Sequence, residues 1–159
     1  GLMMAKILRV NDRVALLGAI DLGIAMQLTN ISRDVIEDKI SNRHYIKSSF
    51  GDLKNTIDIA DKFYDNAFFS IRAIPLRMRF SIIVARRVYR KIGYKILSCG
   101  NFENYKKSGR IYVYNIEKIF ETIISLFDLL KLSFVKKRAD ITWQYHRLIN
   151  EDIDYNARF

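Results

Sequence analysis

Apolar residues along this chain recur every three or four positions rather than every second one, so the sequence reads as all-α. Only seven glycines and one proline interrupt the pattern, and no stretch alternates as a half-buried strand would. The first long helix is expected over residues 12–39, with Val14, Leu17, Ile20, Ile24, Leu28, Ile31 and Val35 along one apolar face. Its far end runs into a polar loop, SNRHYIKSSFGD. A second helix is expected to start at Asp52 as N-cap and to turn Leu53, Ile57, Ala60, Phe63, Tyr64, Ala67, Phe68 and Ile71 toward a core. Pro75 suits the first position of a third helix reaching residue 98, with Phe80, Ile83, Val84, Val88, Ile92 and Ile96 inward. The remainder of that helix is crowded by Arg77, Arg79, Arg86, Arg87, Arg90 and Lys91, which reads as a solvated basic face. After the loop CGNFENYKKSGR a fourth, strongly amphipathic helix is expected over 113–137, and residues 138–159 form a weakly patterned tail.

Composition narrows this to one compact helical domain over 1–137 with the tail beyond it. Half of the 159 residues are hydrophobic and 13% are aromatic, enough for a real core. With 27 Lys and Arg against 17 Asp and Glu, the formal charge of +10 calls for an anionic partner: nucleic acid, acidic lipid or a phosphorylated small molecule. The single cysteine, Cys99, excludes an internal disulfide or a cysteine-cluster metal site and suits a reducing cytoplasm. No apolar run is expected to span a bilayer, because the best candidate, 116–135, is broken by Glu117, Lys118, Glu121, Asp128 and Lys131. The opening GLMMAKILRV does not resemble a cleaved signal and reads as the interior of a longer polypeptide.

The segment DLGIAMQLTNISRDVIEDKISNRHY carries the chemistry. On a helix, Gly23, Gln27, Asn30, Asp34 and Asp38 fall within an arc of about 80°, bordered directly by Ile24, Leu28, Ile31 and Val35. Two carboxylates one turn apart repel each other, and partial burial raises that cost. A divalent cation removes it: Asp34 and Asp38 offer hard oxygens, Asn30 a neutral one, and a bound diphosphate would complete the shell of Mg²⁺. Arg33, Arg43 and Tyr45 are placed to hold the same diphosphate through the planar guanidinium fork and the phenol hydroxyl. By spacing alone, such a polar stripe is more often a solvated face or a set of structural salt bridges. His44 and His146 have no partner at metal-ligand spacing, and no phosphate-cradling glycine loop or dinucleotide fingerprint occurs.

The run GIAMQLTNISRDVIEDKISNRHY resembles the second aspartate-rich motif of the squalene and phytoene synthases, at Gly23, Gln27, Asn30, Arg33, Asp34, Glu37, Asp38, Arg43 and Tyr45. GLMMAKIL resembles the helix before that motif, and VYRKIG and NYKKSGRIYV resemble a later helix and basic loop, so the likeness runs from Gly1 to about Val113. It is nearest in character to the bacterial phytoene synthases, as a C-terminal portion. The resemblance implies an all-α isoprenoid-synthase bundle around a cavity with two aspartate-rich motifs facing each other. It implies that Asn30, Asp34 and Asp38 ligate Mg²⁺, with Mn²⁺ as a substitute, and that Gln27, Arg33, Arg43 and Tyr45 contact diphosphate. It further places Ala19 and Gly23 along a prenyl channel, and Tyr89 and Arg110 near the diphosphates.

The implied reaction is a magnesium-dependent, head-to-head condensation of two geranylgeranyl diphosphates to phytoene, through a cyclopropyl intermediate, in carotenoid synthesis. Squalene or dehydrosqualene from farnesyl diphosphate stays open, with NADPH needed only for squalene. A non-catalytic scaffold is a third reading, though it predicts erosion of the metal helix, and nucleic acid is not an expected partner. Two departures are visible. The first motif, of the D-E-x-x-D kind, is absent; Asp61 and Asp65 in DKFYD have the spacing but sit in a helix of core aromatics, so the chain by itself is expected to be inactive. NRHYIK also replaces the Gly-Arg-x-Tyr-Leu-Pro run that commonly follows the motif. The expected location is the cytoplasm, peripheral at the inner membrane face, with the basic third helix touching anionic lipid.

Overall fold

The computed structural model describes residues 12–40 and 49–134. Within them the regular structure is helical: α1 (Arg13–Ile40), α2 (Phe50–Ser70), a single 3-10 turn (Ile71–Ala73), α3 (Leu76–Ser98), a short α4 (Phe102–Lys107) and α5 (Asn115–Phe134). The all-α expectation holds. The 138–159 tail lies outside the described residues, as do His44 and His146.

Local chemistry sets the boundaries. Asp12 opens α1 by accepting from the Ala15 amide at 3.1 Å. At α2 the cap is Ser49, not Asp52: the Ser49 hydroxyl accepts from the Asp52 amide at 3.1 Å and donates to the Asp52 carboxylate at 2.6 Å. Asp52 is therefore the cap's partner in the first turn. The expected loop at 99–110 contains α4, capped by Asn101 accepting from the Asn104 amide at 2.8 Å. Gly109 takes a positive φ of 62° directly after it, a left-handed conformation that ends the helix and that a side chain would disfavour. Between α4 and α5 the chain is extended, and Ile111 and Val113 go inward while Tyr112 and Tyr114 stay exposed.

α1 and α2 run antiparallel, because Gly18 meets Ser70, Thr29 meets Tyr64 and Val35 meets Leu53 and Ile57. The face of α1 that packs most closely is not the bulky aliphatic one. Ala15, Gly18, Asp21, Ala25, Thr29 and Ser32 are buried, whereas Leu17, Ile20, Ile24, Leu28 and Ile31 are half-buried. Small side chains let the axes approach: a Cβ on Gly18 would lie 2.1 Å from that of Ser70. The buried polar groups are matched, since Asn66 donates to Asp21 and the Thr29 hydroxyl reaches the Ala25 carbonyl (2.9 Å) and the Tyr64 hydroxyl (3.0 Å).

By length and composition, residues Val14–Ile36 of α1 suffice to cross a membrane, contrary to the expectation that no run does. Core helices meet the same measure, and this one is packed against α2 and α3 with Asp21, Thr29 and Ser32 buried.

α3 is antiparallel to both α2 and α5. Arg77 is exposed, but Arg86, Arg87 and Arg90 are not a solvated face. Arg86 is buried, donating to the Tyr64 carbonyl at 2.8 Å and to Asp65 at 3.1 Å, and burial pulls its pKa down to about 10. Arg87 bridges Glu121 (2.8 Å) and Asp128 (2.7 Å), and Lys95 reaches Glu117 at 2.8 Å. These pairs draw the polar side of α5 inward and leave Ile119, Phe120, Ile123, Phe127, Leu130 and Phe134 exposed. The amphipathic helix that the sequence predicts is thus packed by its charges together with Leu129 and Leu132, with most of its apolar arc outward.

Candidate metal–diphosphate site

The site grows from the middle of α1. Asp34 is three-quarters buried, and Arg33, its chain neighbour, grips both of its oxygens: Nε donates to Oδ1 at 2.8 Å and Nη2 to Oδ2 at 2.9 Å. A second guanidinium arrives from far along the chain, with Arg110 Nη2 3.7 Å from Asp34 Oδ1. The Arg33 hydrogen bonds hold the Asp34 carboxyl below its ordinary value; partial burial opposes this, and the charges of Arg33 and Arg110 reinforce it.

One turn earlier, the Asn30 side-chain oxygen is buried with no hydrogen-bond partner among the described residues, as is the Ser32 hydroxyl. An unmatched buried carbonyl costs about 1–3 kcal/mol, and it points to a missing partner. The donor set is all oxygen: a neutral amide and a carboxylate one turn apart, next to two guanidinium groups. That fits a hard divalent cation bridged to a polyanion. The residues present are therefore compatible with Mg²⁺, although among the described residues no cluster of three or more His, Cys, Asp or Glu could hold it by themselves.

Arg110 owes its position to a residue that the sequence pattern does not flag. Tyr105 of α4 is fully buried, and its hydroxyl lies 2.8 Å from the Ser32 carbonyl and 2.9 Å from that of Arg33. The phenol pins α4 onto α1 at the level of the Arg33–Asp34 pair. Gly109 then turns the chain and Arg110 comes round to Asp34. Only the tyrosine within NYKKSGR, five residues before a predicted diphosphate arginine, offered any hint of this.

Among the other expected site residues, Ala19 and Gly23 are half-buried and Gln27 is exposed on the same side of α1. Asp38 follows on the helix, but its side chain, with Arg43 and Tyr45, lies outside the described residues. Tyr89 is half-buried on α3 and packs with two apolar clusters. Phe63, Tyr64 and Phe68 are buried core. Cys99 is half-buried and touches the Lys95 carbonyl and the Ser108 hydroxyl.

The squalene/phytoene synthase family profile matches residues 1–47, the segment that contains this stripe. The chain is 35% identical over 122 residues to the 15-cis-phytoene synthase of Enterobacter agglomerans, covering 64% of this chain and 41% of that protein. Over part of its length the chain is thus similar to the squalene/phytoene synthases. It is also 34% identical over 121 residues to the 15-cis-phytoene synthase of Pantoea ananas (63% of this chain, 39% of that one). A similar enzyme of Paracoccus sp. (strain N81106 / MBIC 01143) is 35% identical over 118 residues. The squalene/phytoene synthase-like chain thus spans about two-fifths of the length of these curated relatives. No solved structure matches. The profile ends well before Arg110, so the meeting of Arg110 with Asp34 is a structural finding independent of that match.

Proposed function

We propose that this chain provides the metal- and diphosphate-binding side of a phytoene synthase, which joins two geranylgeranyl diphosphates head to head. The observation that carries the reading is the convergence on one face of α1 of an unmatched amide oxygen (Asn30), a carboxylate (Asp34) and two guanidinium groups (Arg33, Arg110). Asn30 and Asp34, with Asp38, would hold Mg²⁺. When bound, the cation would neutralise the charge that builds up on a departing diphosphate. Arg33 and Arg110 would orient that diphosphate by paired hydrogen bonds. The half-buried Ile20, Ile24, Leu28 and Ile31 beside the stripe would give the prenyl chain an apolar wall that excludes water. Farnesyl diphosphate is the alternative substrate.

Titration calorimetry with geranylgeranyl diphosphate tests the site. Binding should require Mg²⁺ and should be lost in Asp34→Ala; equal binding in a chelator, or in that variant, rejects the reading. Formation of a C40 hydrocarbon by an enzyme containing this chain, rather than C30, tests the substrate.

A peripheral membrane location belongs to the same reading, but through α5 rather than the basic surface of α3, whose Arg86, Arg87 and Arg90 are engaged in ion pairs. The exposed apolar arc of α5 is flanked by Lys131, and Lys136, Lys137 and Arg138 follow in sequence, the arrangement that anionic lipid attracts. Co-sedimentation with phosphatidylglycerol vesicles should exceed that with phosphatidylcholine and fall when Ile123 and Phe127 become serine. Concentration-dependent self-association with no lipid preference would overturn it.

A further inference from the structure

We infer that Arg33 is a placeholder for the metal, so that the cation and the diphosphate enter this site only as a coupled pair; the inference rests on the metal–diphosphate reading above. The partners of Asp34 show what stands in the way. Arg33 spends its fork on both oxygens of Asp34, at 2.8 and 2.9 Å, and Arg110 approaches Oδ1 from the other side at 3.7 Å. A divalent ion that binds Asp34 must share an oxygen with Arg33 or displace it, and in either case must approach two positive groups. A bare cation therefore pays for lost ion pairing. A bare polyanion meets two guanidinium groups already committed to a carboxylate.

Together they avoid both penalties. The metal takes Asp34, and Arg33 and Arg110 transfer to the phosphate oxygens, so that each charge exchanges one partner for another with no group left alone. The adjacent unmatched oxygen of Asn30 has no such competitor among the described residues, and stands ready for the ion. The inward pull of Tyr105 on the Ser32 and Arg33 carbonyls fixes the backbone during this exchange, leaving only the two arginine side chains to move.

The 159-residue chain can be titrated with Mn²⁺ by electron paramagnetic resonance, with and without inorganic pyrophosphate. In the wild type, pyrophosphate should tighten Mn²⁺ binding at least about tenfold, the order that one charge-assisted pair is worth. Arg33→Gln frees the carboxylate, so Mn²⁺ alone should bind about tenfold more tightly while the pyrophosphate enhancement shrinks. Arg33→Lys, which keeps the charge but not the fork, should fall between them, and circular dichroism checks that each variant is folded. Weakened or unchanged binding of Mn²⁺ alone to folded Arg33→Gln overturns the placeholder role, as does wild-type binding that pyrophosphate does not improve. Asp34→Asn separates the two levels. If it leaves Mn²⁺ with pyrophosphate bound as before, the site reading itself fails; if it abolishes that binding while Arg33→Gln gains nothing, only the exchange fails.

Discussion

Two aspartates of this chain, Asp34 on α1 and Asp61 on α2, are both gripped by arginine, yet they are built for different ends. Asp61 and Asp65, one turn apart on α2, share Arg90 of the neighbouring α3: Nη2 lies 2.6 Å from Asp61 and Nη1 2.6 Å from Asp65. Tyr94 adds a hydrogen bond to Asp61 at 3.1 Å and Arg86 one to Asp65 at 3.1 Å. Burial works against the Arg90 charge, but its hydrogen bonds to both aspartates outweigh this and raise its pKa. Every charge there is matched across a helix interface, so the cluster joins α2 to α3. At Asp34 the close grip comes from the adjacent residue on the same helix, a longer ion pair comes from Arg110, and the carboxylate sits beside an amide oxygen with no partner among the described residues. A saturated ion pair between elements is structure; one beside an orphaned oxygen is what the proposed metal–diphosphate site would need. The D-x-x-x-D spacing is common to both regions and cannot tell them apart.

Four experiments would break or sharpen that contrast, the largest effect first. Asp34→Asn should weaken binding of Mn²⁺ with pyrophosphate on the order of a hundredfold, whereas Asp61→Asn should leave it within about twofold, measured by calorimetry. A comparable loss in both variants would erase the distinction. Urea unfolding should show the reverse for stability: Arg90→Ala, which leaves two aspartates facing each other, costs about 2 kcal/mol, while Arg33→Gln costs less than about 0.5 kcal/mol because its pair is intrahelical and partly solvated.

Tyr105→Phe removes one buried hydroxyl from two carbonyls and should cost about 1 kcal/mol. It should also weaken pyrophosphate binding, since Arg110 loses its anchor; a stability loss with unchanged pyrophosphate affinity would reduce Tyr105 to a core residue. The smallest effect is in acid. The folded Asp34 carboxyl titrates below its unfolded value of 3.8, so its ion pair contributes fully above that value and is lost as pH falls through the lower folded one. The stability difference between wild type and Arg33→Gln should therefore narrow as pH falls below 3.8, as followed by urea midpoints at stepped pH.

Much of this was legible without coordinates where the signal is local. The 3.6-residue period gave the four long helices within a few residues, and the burial of Phe63, Tyr64 and Phe68 follows from the same pattern. Asn30, Arg33 and Asp34 could be singled out because their spacing and the surrounding run belong to one helix. The pattern was misleading wherever a helix chose between two faces. Hydrophobicity favours the bulky side of α1, yet Gly18, Ala25 and Thr29 allow closer approach to α2, and tight packing took that side instead.

The sequence by itself determined that the chain is helical, where its acidic stripe lies, and which chemistry that stripe could serve, since all three depend on residues within a few turns of one another. Tertiary structure alone decided that Tyr105 carries Arg110 to Asp34, that α5 packs through Glu121 and Asp128 instead of its apolar arc, and that Asp61 and Asp65 are spent on Arg90. Each of those outcomes turns on which charge finds which partner across a helix interface, and the energy of such a pairing depends on distance and burial that no linear spacing encodes.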